Sequence, residues 1–109
     1  MTNIDMSRLI SRETRRATAA ELHAQRVKEE CRTRIFEIVD QISQTNLATA
    51  CSAGRMTEED IGSYNELLDW IGAMREACRS MAHAPGPNGA DSGAWPVPPA
   101  SAASIARRF

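Results

Sequence analysis

The stretch Gly54-Arg55-Met56-Thr57-Glu58-Glu59-Asp60-Ile61 holds both the end of one helix and the start of the next. Thr57 can cap a helix, and Glu58, Glu59 and Asp60 place negative charge in its first turn, where the helix dipole is positive. Met56 before the cap and Ile61 after it are spaced for a hydrophobic staple. Gly54 suits the left-handed residue that closes the preceding helix. Helices joined by so few residues fold back on one another as an antiparallel hairpin.

Downstream of the turn, Ile61, Tyr64, Leu67, Leu68, Ile71, Met74, Cys78 and Met81 recur at spacings of three and four, with charged and polar residues between them. That rhythm predicts one amphipathic helix to about Ala82, roughly 37 Å long at 1.5 Å per residue. Upstream, Val27, Cys31, Ile35, Ile38, Ile42 and Ala50 keep the same period, and Phe36, Val39 and Leu47 widen the stripe. This segment is the expected hairpin partner. No Pro or Gly interrupts residues 1–53, so a single first helix is predicted from Met6 to Ala53, capped by Asp5 or Ser7. Its N-terminal half has a thin stripe of Ile10, Ala17, Ala20 and Ala24 and is expected to project beyond the hairpin. Through Lys28 this half carries six cations against three acids, a local net charge of +3.

Residues 84–100 hold all five prolines, so the second helix must stop there. Trp95-Pro96-Val97-Pro98-Pro99 is expected to be extended, and Ser101 to cap a last helix from Ala102 to Arg108. Trp95 and Phe109 then either fold back onto the hairpin or anchor in a partner. The predicted fold is all-α, a long antiparallel helical hairpin with an N-terminal helical arm and a Pro/Gly-rich C-terminal tail. Residues 1–26 form the charged arm, 27–83 the hairpin turning near 54–57, and 84–109 the tail with its short terminal helix.

A chain of 109 residues and 12.0 kDa has room for one domain and none for separate catalytic and cofactor domains. Its aromatic residues are Phe36, Tyr64, Trp70, Trp95 and Phe109, so aliphatic residues must build the core. A formal net charge of −1 supplies no overall basic field for a nucleic-acid backbone. No apolar run reaches the roughly 18 to 20 residues of a membrane span, and the first residues lack the basic and apolar regions of a secretion signal.

Cys31, Cys51 and Cys78 are odd in number and far apart, which signals neither a disulfide framework nor a zinc site and suits small packing residues. Consecutive carboxylates at 58–60 diverge by about 100° each on a helix and serve capping better than metal binding. His23 and His83 have no catalytic companions in the pattern, and no Gly-rich phosphate loop is present. No enzyme activity, cofactor or metal is expected. A two-helix hairpin buries its stripes only in part, so the remaining surface calls for the tail, self-association or another protein, and a homo-oligomer or obligate complex is expected.

Arg34-Ile35-Phe36-Glu37-Ile38-Val39-Asp40-Gln41, followed by Thr45-Asn46-Leu47-Ala48, the turn Met56-Thr57 and then Trp70-Ile71-Gly72-Ala73-Met74-Arg75-Glu76-Ala77-Cys78-Arg79, forms a recognisable pattern. With Trp95-Pro96 and the ending Arg108-Phe109, it resembles small proteins encoded beside tail fibre genes in tailed bacteriophages and prophages, over about residues 30–109. Such proteins are described as tail fibre assembly proteins or small tail proteins. The resemblance implies a subunit or assembly chaperone that packs on a phage tail or tail fibre protein. It implies the host bacterial cytoplasm during assembly as its location, with retention in the virion tail as a second station. The partner-contact candidates are Leu9, Ile10, Arg12 and Arg16 in the arm, with Trp95 and Phe109 in the tail. Two rivals are a small phage-encoded regulator or counter-defence protein that blocks a host complex, and a weak nucleic-acid module using the Arg-rich arm.

Overall fold

The computed structural model describes residues 2–83 and 95–109, without the side chains of residues 2–13 and 17. These residues form α1 (Thr2–Ile38), α2 (Gln41–Ser52), α3 (Glu58–His83) and α4 (Ala100–Arg108), with no strand among them. The chain is all-α. The expected Gly- and Pro-rich stretch of residues 84–94 lies outside the described residues.

The first helix differs from the sequence expectation at both ends. It begins at Thr2, ahead of the expected caps Asp5 and Ser7, and it stops at Ile38 instead of continuing to Ala53. The break needs no Pro or Gly because Asp40 caps a new helix. Its backbone is extended (φ −71°, ψ 174°), its carboxylate accepts the Ser43 N–H at 2.7 Å, and the Gln44 side chain donates to the Val39 carbonyl at 3.1 Å. A side chain that satisfies the first free N–H groups of a helix offers the backbone an alternative to continuing.

At the next join, Gly54 has φ +69°. The Gly54 N–H reaches the Cys51 carbonyl at 3.2 Å and the Arg55 N–H reaches the Ala50 carbonyl at 2.9 Å, which closes α2 in a Schellman turn. Thr57 and Asp60 then cap α3 reciprocally. The Asp60 N–H donates to Thr57 Oγ1 at 3.1 Å, and the Thr57 N–H donates to Asp60 Oδ2 at 3.2 Å. Met56 is buried, while Ile61 stays 42% exposed, so only one end of the expected staple enters the core.

α3 runs antiparallel to α1: His23 Nε2 lies 2.9 Å from the Met81 carbonyl, and the Cys31 thiol donates to the Met74 carbonyl at 3.6 Å. The interface buries Val27, Cys31 and Ile35 against Leu67, Ile71 and Met74. A third layer comes from the tail. α4 packs Ala102, Ile105 and Ala106 onto α3 and also touches α2. It starts at Ala100, with Pro99 at the cap position making no side-chain cap bond. Ser101, the expected cap, instead donates its hydroxyl to the Glu66 carboxylate. The molecule measures 73 × 27 × 16 Å, and residues 2–20 of α1 run on past the described end of α3.

Candidate functional site

Three surfaces bear on function: the projecting arm, the tail clasp and a groove between α1 and α3. In the arm, residues 14–16 and 18–20 are all exposed, and Thr18 donates its hydroxyl back to the Thr14 carbonyl at 2.8 Å. Arg16 lies on this exposed stretch. The side chains of Leu9, Ile10 and Arg12 lie outside the described residues.

Trp95 and Phe109 are placed differently from the arm candidates, because both are used by the fold. Trp95 is 5% exposed, with the Arg34 guanidinium 5.5 Å above its ring. The same guanidinium group bonds Glu30 at 2.8 Å, one turn back on α1. Phe109 is half-buried against the core, and its carbonyl accepts from the Asn46 amide at 2.9 Å. The Trp70 indole donates to the Pro96 carbonyl at 3.1 Å, and Arg108 bonds Asp60 at 2.9 Å. The extended segment is thereby held at Pro96, and α4 at its far end. The sequence contained one pointer to this arrangement: a buried indole N–H needs an acceptor, and a helix leaves none free beside Trp70.

Asp60, at the start of α3, bonds both Thr57 and Arg108. The Thr57 backbone N–H, and next the Arg108 guanidinium, hold its carboxyl below the usual carboxylate range. Trp95 Nε1 is buried without an acceptor among the described residues.

The sequence reading did not anticipate the groove. A cavity of about 520 Å³ opens along the α1–α3 seam, with Lys28, Arg32 and Arg75 at its sides and Cys31, Ile71 and Cys78 on its floor. Phe36, at its edge, is 41% exposed. Burial pushes the Cys31 thiol up to about 11, and neighbouring Cys78 adds to the rise while Arg75 opposes it. A thiol held protonated in this way is a packing group and not a nucleophile at neutral pH. Among the described residues no cluster of three or more His, Cys, Asp or Glu forms a metal cage, and no helix is long and apolar enough to cross a membrane. No protein-family model, curated protein or solved structure matches the chain.

Proposed function

We propose that the protein is a protein-binding subunit of a phage tail or a tail fibre assembly chaperone, acting by helical packing of its arm on a tail or fibre protein. One observation carries this reading. From His23 onward the described chain closes on itself, whereas residues 14–16 and 18–20 form an exposed helix with no core of their own. A helix of this kind gains little stability in isolation and is best explained by a surface that completes it. The residues behind the resemblance agree with a division of labour. Asn46, Trp70, Trp95, Arg108 and Phe109 build the clasp, leaving the arm to select the partner.

Co-expression with the tail and fibre proteins of the same phage, followed by affinity capture, tests the reading. The full chain should retain one tail component, and a chain lacking residues 1–20 should lose it while keeping its helical circular dichroism. Capture that survives the deletion, or no tail component captured at all, would reject it. Binding to duplex DNA with a steep salt dependence would point instead to the Arg-rich arm as a phosphate contact.

A further inference from the structure

We infer that the exposed edge of α3 is a self-association face, on which two copies pair α3 against α3, antiparallel, about a two-fold axis through Leu68. The inference is independent of what the arm binds.

Beside its core stripe, α3 carries a second one. Ile61, Asn65, Leu68, Gly72 and Arg75 are all exposed and alternate in steps of four and three, which is the spacing of a helix–helix seam. Ile61 and Leu68 are 42% and 46% exposed, and a second helix laid along this edge takes both out of water. Glu58 and Arg79 extend the stripe by one step at each end. Folding this stripe antiparallel onto a second copy sets Leu68 against Leu68 and Asn65 against Gly72. It also sets Ile61 against the aliphatic stem of Arg75, and Glu58 against Arg79. The charged pair occurs twice by symmetry, once at each end. A parallel pairing would face Glu58 with Glu58 and Arg79 with Arg79, so charge selects the antiparallel form.

Gly72 lies on this stripe, and a Cβ built on it, as on Gly62 elsewhere on α3, would meet nothing within 4 Å among the described residues. The missing side chain leaves room there for a second backbone to approach.

The antiparallel register of α1 and α3, His23 at Met81 and Cys31 at Met74, brings Phe36 level with Leu68. Phe36, 41% exposed at the edge of the groove, thus lies at the level of the axis. Arg79 now bonds Glu76 at 3.1 Å, but both side chains are 70% or more exposed, so that pair exchanges at little cost.

Sedimentation equilibrium of the full chain under reducing conditions tests the face. The wild type should be dimeric at about 100 µM, and Leu68→Glu should raise the dissociation constant at least about tenfold while circular dichroism stays unchanged. Glu58→Arg and Arg79→Glu should each weaken the dimer, and the two together should restore it. A monomeric wild type, a dimer indifferent to Leu68→Glu, or a double variant as weak as the singles would overturn the inference.

Discussion

Asp60 is the one buried acid among the described residues, and it joins two parts of the chain that are 48 positions apart in sequence. Its carboxylate caps α3 through Thr57 and holds Arg108 of α4. Because its folded pKa lies below the unfolded value of about 3.9, its contribution to stability is present above that pH and fades as pH falls through the folded value. Thermal midpoints measured from neutral pH into acid should therefore drop less steeply for Asp60→Asn than for the wild type, from a lower starting point. Identical slopes would remove Asp60 from the acid response. Thr57→Ala, which deletes the hydroxyl half of the cap, should cost about 1 kcal/mol in urea unfolding. Two of the thiols make a separate check. Cys51 is exposed and Cys31 buried with a raised pKa, so alkylation near pH 8 should label Cys51 in the native protein and reach Cys31 only as the chain opens.

At the scale of elements, legibility followed the range of the forces involved. The join at 54–61 could be read from its residues because a left-handed glycine and a Thr-Asp cap act within one turn of chain. The stripe of α3 could be read because a helix repeats it. The end of α1 was also written locally, in Asp40 and Gln44, but a stretch free of Pro and Gly outweighed a cap in mid-pattern. The tail could not be read in this way. Its position depends on Trp70 to Pro96, Asn46 to Phe109 and Asp60 to Arg108, contacts between residues 26 to 63 apart that no local spacing encodes.

Those same contacts set the energetics of the tail. Trp95→Ala removes a side chain that is 5% exposed and should cost about 3 to 5 kcal/mol, whereas Trp70→Phe keeps one aromatic ring, loses the rest of a buried indole with its bond to Pro96 and should cost about 1 to 3 kcal/mol. Urea midpoints of the two variants measure the difference. Equal and small losses would mean that the tail rests on the helices without stabilising them.

On the scale of the whole molecule, length and stability are distributed unequally. α1, about 55 Å long at 1.5 Å per residue, makes up most of the 73 Å long axis, yet the core begins only at Val27 and the contact with the end of α3 at His23. The described side chains at 15, 16 and 18–20 are exposed, so no packing of theirs makes the opening of this stretch cooperative with the core. Hydrogen exchange should accordingly be fast at 14–20 and slowest at 27–35 and 67–74, where the buried residues of α1 and α3 face one another. An antiparallel pair formed through α3 would leave that contrast intact, because its axis lies at Leu68 and the two arms would leave from opposite ends of the dimer. Raising the protein concentration should thus protect the exposed edge of α3 and not the arm, while a bound tail protein should protect residues 14–20. Slow exchange at 14–20 in the isolated protein would show that the arm already has a surface to pack on, and the case for a partner there would fail.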